Sequence, residues 1–176
     1  MTFIILDGNL RSLDYWIKTR MGVFGKDTDA VGKFAGSVPV PDFNETSFNK
    51  PKPLGQSKVA IVTTAALYQE GGDGFELGDS DFHYETLPRE ARDLTLGHGS
   101  VNFDRGGFAA DINVVYPIDR LHEFAENGII GEVAEYHYSF AGNQSDTVSE
   151  IRLDSGPLCA KEMLKEEVDV VLLTGT

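Results

Sequence analysis

The sequence predicts an α/β fold: a partial, mainly parallel, Rossmann-like sheet preceded by an extended, Pro-rich N-terminal arm. Three observations carry this expectation. From Lys58 onward, strand-like and helix-like patterns alternate, the order that builds parallel sheets with right-handed crossovers. The runs "KVAIVTTAAL" and "VDVVLLTGT" are continuously apolar rather than alternating, as strands covered on both faces require. Ahead of them, Pro39, Pro41, Pro51 and Pro53 punctuate a stretch rich in Ser, Asn and Gly. Each proline removes a backbone donor and pushes its predecessor towards extended conformations. The boundary falls between an arm and linker, 1–57, and an incomplete α/β domain, 58–176.

Within the arm, the pattern suggests a short helix around Leu13–Met21 and then an extended linker. Its aromatics, Tyr15, Trp16, Phe24, Phe34, Phe43 and Phe48, call for packing on the domain or on another subunit. The first strand of the domain starts at Lys58. A Gly/Asp loop, "YQEGGDGFELGDS", follows, and "DFHYETLP" then alternates like a strand with Phe82 and Tyr84 on one side. The stretch from Leu94 to Pro117 reads mostly as loop with short extended pieces. "PIDRLHEFAENG" is the clearest helix: Pro117 suits the first turn, Asp119 the positive end of the dipole, and Gly128 a left-handed stop. Ile118, Leu121 and Ala125 form its apolar stripe, extended by Ile129. "GEVAEYHYSF" is a strand, "SGPLCAKEMLKEE" a second helix, and "VDVVLLTGT" the last strand.

Composition narrows the function. The chain has 176 residues, 28 Asp and Glu against 15 Lys and Arg, and a net charge of −13. That surface repels phosphate backbones and anionic bilayers, so neither nucleic acid nor membrane is an expected partner. "MTFIILDGNL" lacks the basic start and cleavage site of a signal peptide, which leads us to expect a cytoplasmic protein. The single cysteine, Cys159, makes no internal disulfide or thiolate metal cluster. Its place near Leu158 and Met163 suggests packing, and no metal site is expected.

Familiar signatures fail. In "GHGSVNFD" the third glycine of a dinucleotide fingerprint falls on Asn102, and no Gly-rich loop ends in Gly-Lys-Ser/Thr. Two histidines are placed for chemistry. His98 sits in a Gly-flanked loop with Asp104 and Asp111 downstream. His137 lies on a strand expected to end at the ligand-binding edge of an open sheet. Asp111 and Asn113 suit local turns, and Arg120 suits pairing with an acid or clamping a substrate carboxylate. His83 and His122 read as polar-face and boundary residues. Acid–base chemistry by His98, His137 and Asp104 is one open reading.

Four blocks together are more specific: "KVAIVTTAALY", "GHGSVNFD", "DINVVYPIDRLHEFAENGIIGEVAEYHYSFAG" and "VDVVLLTGT". With them the chain resembles the selenoprotein B family of glycine, sarcosine and betaine reductases and their D-proline reductase relatives. The likeness runs from about Lys58 to the end. It is strongest at Asn113, Pro117, Asp119, Arg120, Leu121, Gly128, Ile130, Gly131, His137 and Gly142. The resemblance implies reductive cleavage of a C–N bond in an amino acid or methylated amine, with a thioredoxin-like dithiol as donor. It also implies a selenocysteine or cysteine nucleophile after a strand ending in Thr/Gly/Ser, a pyruvoyl group on a partner subunit, and an oligomeric assembly. On that pattern Thr174, Gly175 and Thr176 lead into the redox residue, which would follow Thr176 as a UGA-encoded selenocysteine. The chain itself would hold no cofactor. His98, Asp104, Asp111, Asn113, Arg120 and His137 are the further site-lining candidates. The alternative reading is a non-catalytic binding or assembly module.

Overall fold

The computed structural model describes residues 2–5, 49–76, 81–98, 105–142, 144 and 150–175. Among these residues are eight strands and three α-helices: β1 Thr2–Ile5, β2 Lys58–Thr63, β3 Leu67–Gln69, β4 Tyr84–Pro88, β5 Leu94–Leu96, α1 Arg105–Ala110, α2 Ile118–Glu126, β6 Glu132–Val133, β7 Tyr136–Phe140, α3 Gly156–Lys165 and β8 Val170–Thr174. The main sheet has the order β1-β8-β2-β7-β4, with β6 beside β2.

The two continuous apolar runs become its centre. β2 pairs with β8 in parallel from Val59↔Val170 to Thr63↔Thr174. Alternate residues then face opposite layers. Val59, Ile61, Val170 and Leu172 pack with Tyr116, Ile118 and Leu121 at the start of α2. Ala60 and Val171 pack with Cys159 and Met163 of α3 on the other side. Each helix therefore covers one face, and water is excluded from both sides of β2 and β8. This explains why neither run alternates with polar residues.

The expected mainly parallel, Rossmann-like sheet is corrected, because the assembly is mixed. β4 runs antiparallel along β7, from Tyr84↔Phe140 to Pro88↔Tyr136. β3 and β5 form a separate antiparallel ribbon, Leu67↔Leu96 to Gln69↔Leu94. The physical reason is connection chemistry. Running β4 in the direction of β2 would need a crossover, usually a helix; among the described residues none stands between them, and β4 returns the opposite way beside β7, which is parallel to β2. The strand expected at 131–140 is also broken. Ala134 and Glu135 separate the two-residue β6 from β7, and both pieces lie along β2.

The extended N-terminal arm is corrected at its beginning. Thr2–Ile5 is a strand of the main sheet, pairing in parallel with Val170–Leu173. The helix expected around Leu13–Met21 and the aromatics from Tyr15 to Phe48 lie outside the described residues.

The α2 stripe is right at Ile118 and Leu121, which are buried, but Ile129 is 50% exposed and Ile130 takes the buried place at 5%. Gly128 ends the helix with φ +68°, the left-handed stop its sequence position suggested. Gly131 answers a different need: a Cβ there would stand 2.7 Å from the Gln56 carbonyl carbon. Pro53 and the turn Leu54–Gln56 thereby pass close beneath the entry to β6.

Candidate functional site at the carboxyl edge of the sheet

The C-terminal ends of β2, β7 and β8 lie side by side, joined by Thr63↔Ser139 and Thr63↔Thr174. Such an edge is where open α/β sheets bind ligands. Thr63 and Thr174 do not point hydroxyls at this edge for use. Both donate to the carbonyl of Val115, at 2.9 and 2.8 Å, and so tie the loop before α2 onto the two strand ends.

Beyond Thr63 the backbone turns sharply. Ala66 adopts φ +53°, a left-handed conformation that a residue with a Cβ takes only under constraint. The constraint is visible: the Ala66 N–H donates to Phe140 O at 3.0 Å, and its carbonyl accepts from Gly97 N–H at 2.7 Å. The turn thus clasps the end of β7 and the exit of β5. Gly97 is required by this approach, because a Cβ there would lie 2.9 Å from Ala66 O.

His98 follows directly and is thereby brought to the edge. Its Nε2 lies 3.6 Å from the Cβ position of Gly142, which itself faces Thr64 O at 3.1 Å. The Cβ position of Gly175 is 4.0 Å from Thr64 Oγ1. Thr64, His98, Gly142 and Gly175 therefore surround one small area at the strand ends. Burial, and then the nearby Arg105 guanidinium, hold the His98 imidazole below the ordinary histidine range, so it is neutral at pH 7 and able to accept a proton.

The other residues singled out from sequence do not join this group. His137 is fully buried, and its Nδ1 accepts the Ile61 N–H at 2.9 Å. The imidazole replaces a backbone carbonyl where the β6–β7 break leaves β2 unpaired. That bond places the ring proton on Nε2. Burial, then the charges of His122, Arg89 and Arg92, pull its pKa down to about 3. Its T-shaped contact with Tyr116 at 5.6 Å puts it inside the α2 layer.

Asn113 is a helix cap acting from a distance. Its Oδ1 accepts the Asp119 N–H at 3.1 Å, while its Nδ2 donates at 2.8 Å to both Asp111 Oδ1 and Asp119 Oδ2. Pro117 has no side chain to cap α2, so Asn113 supplies the acceptor. Arg120 pairs with Glu123 on the surface at 2.7 Å. Asp104 and Thr176 lie outside the described residues.

Reading residues singly missed Thr64. Its signal was the hydroxyl pair "TT" at the point where an apolar run leaves the sheet. Among the described residues, no group of His, Cys, Asp and Glu side chains is arranged to hold a metal ion. Among the same residues, no helix is long and apolar enough to cross a membrane.

Residues 30–176 match the family model for glycine/sarcosine/betaine reductase selenoprotein B. The chain belongs to that family. Within reach of the selenoprotein B group it is 33% identical to the D-proline reductase subunit gamma of Acetoanaerobium sticklandii, over 70% of this chain and 50% of that protein. It is 30% identical to the glycine reductase complex component B subunit gamma of Symbiobacterium thermophilum, over 81% of this chain and 34% of that one. It is also 28% identical to the betaine reductase complex component B subunit beta of Peptoclostridium acidaminophilum, over 82% and 34%. The chain thus spans half the length of the first relative and about a third of the other two. No solved structure matches it.

Proposed function

We propose that this chain is a non-catalytic binding and assembly module of a selenoprotein B-type reductase system. One observation carries the reading. The only thiol in the 176 residues is Cys159, which is buried on the side of α3 that packs on β2 and β8 and whose pKa is pushed up to about 12 by burial and then by Glu162. A thiol that stays protonated and enclosed supplies neither a nucleophile nor a partner for dithiol exchange. The reaction served would be reductive C–N cleavage of an amino acid or methylated amine. Its redox residue would lie outside these 176 residues, and its pyruvoyl group on a partner subunit. What this chain contributes is the edge formed by Thr64, His98, Gly142 and Gly175, with a neutral imidazole beside the strand ends.

The test is an assay of the purified chain with dithiothreitol and glycine, sarcosine, betaine or D-proline, alone and with the pyruvoyl-bearing subunit. We expect no turnover by the chain alone and a co-eluting complex on size exclusion with light scattering. Turnover by the chain alone would overturn the proposal, as would a monomer that ignores the subunit.

A second reading, a reductase domain acting on the same substrate class, is favoured by the family match over 30–176. It is the reading that turnover by the chain alone would select.

A further inference from the structure

His83 was expected on the polar face of its strand, yet it makes one of the most constrained side-chain arrangements near the edge. Its Nδ1 shares a short hydrogen bond with Asp81 Oδ1. Asp81 is itself fixed, since its carboxylate accepts the backbone N–H of Glu76 at 3.0 Å and that of His83 at 3.2 Å. Burial works against the charge of Asp81, but these bonds outweigh it and keep the carboxyl below its usual range. Glu85 stands 3.6 Å from the other ring nitrogen of His83. Gln144 Nε2 donates at 2.7 Å to both the Asp81 and the Ala141 carbonyls, anchoring this loop to the end of β7.

The held imidazole then acts as a surface. Phe75 stacks on it with centroids 4.7 Å apart and planes 19° apart. Phe75 in turn lies against Gly97, its Cδ2 3.2 Å from the Cβ position there. Gly97 precedes His98, whose Nε2 faces Gly142, and Gly142 follows Ala141. The contacts form a closed circuit that starts and ends at the same strand end.

We propose that His83, locked by Asp81 and stacked on Phe75, is a positioning residue that sets the placement of the His98 imidazole at the carboxyl edge. Two flat rings in contact fix both separation and tilt, which a flexible aliphatic side chain does not. The carboxylate adds rotational control of the supporting ring. The glycine at 97 lets the support approach the backbone directly, so a displacement of Phe75 reaches His98 without an intervening side chain. His83 does not touch the edge itself.

This proposal rests on His98 belonging to the edge site. Its test reads His98 rather than activity or partner binding, so the two readings fail separately. Ring signals of the full chain are recorded by NMR, with His98 assigned through His98→Gln and the buried His137 as reference for an intact core. In the native chain we expect a cross-relaxation contact between the His98 ring protons and the Gly142 α-protons. His83→Ala should abolish that contact and shift the His98 signals while the His137 signals stay in place. His83→Phe, which retains a flat ring on Phe75, should restore most of the contact. Should His83→Ala lose the His137 signature, Phe75→Leu decides, because it keeps an apolar side chain at Gly97 and removes only the stack. Unchanged His98 signals in the folded variant that decides would overturn the proposal, and so would a His83→Phe chain that loses the contact as fully as His83→Ala.

Discussion

Single atoms at the strand ends decide how the edge is built. Gly142 leaves little room for a methyl group: a Cβ would sit 3.1 Å from the Thr64 carbonyl oxygen, a tight approach to backbone, and 3.6 Å from His98 Nε2, an ordinary van der Waals distance. Gly142→Ala should therefore cost about 1–3 kcal/mol by overpacking, read as a lower urea midpoint at unchanged m-value. His137 makes a prediction about pH. Its folded pKa, about 3, lies below the ordinary value of 6.5, so the unfolded chain binds the extra proton between those values. The stability it contributes is complete above pH 6.5 and declines as pH falls through that window, at about 1.4 kcal/mol per pH unit. Urea titrations between pH 4 and 7 check this. In His137→Gln, whose amide oxygen can still accept the Ile61 N–H, the slope should drop by close to one proton. An unchanged slope would show that the imidazole is not the group responsible.

At the scale of elements, the loop before α2 joins helix to sheet. Val115 O receives the hydroxyls of Thr63 and Thr174, and Asn113 caps α2 in place of Pro117. Asn113→Ala should lower stability by about 1 kcal/mol through the lost cap. Amide exchange should quicken in the first turn of α2 and stay unchanged in β2. A loss of edge function with no change in α2 exchange would instead place Asn113 in ligand contact. Some elements were legible from residue patterns: β2 and β8 from their β-branched apolar runs, α2 from its stripe and terminal signals. The antiparallel course of β4 was not. Alternation in "DFHYETLP" says that one face is wetter than the other, but strand direction depends on which partner edge is free.

For the whole molecule, α2 on one face and α3 on the other leave the carboxyl edge as the common exit of β2, β7 and β8. Cys159 reports on this closed core. With its pKa near 12 and the residue only 2% exposed, reaction with Ellman's reagent should require unfolding. Its rate should rise about tenfold for each 1.4 kcal/mol lost by global destabilisation. Fast labelling insensitive to such variants would mean that α3 opens by itself.

Family membership and the central strands were readable from the sequence, because they rest on local composition and on ordered blocks of residues. So was the exclusion of Cys159 as an exposed nucleophile, from its apolar neighbours on the helix. The roles of the histidines were decided only in three dimensions. His98 reaches the edge because a left-handed Ala66 holds Gly97 by a backbone bond. His137 leaves the list of edge candidates because a break between β6 and β7 needs an acceptor inside the sheet. Residue type and spacing specify what a side chain can do. Which of those capacities is used depends on the partner that folding brings within about 3 Å of it.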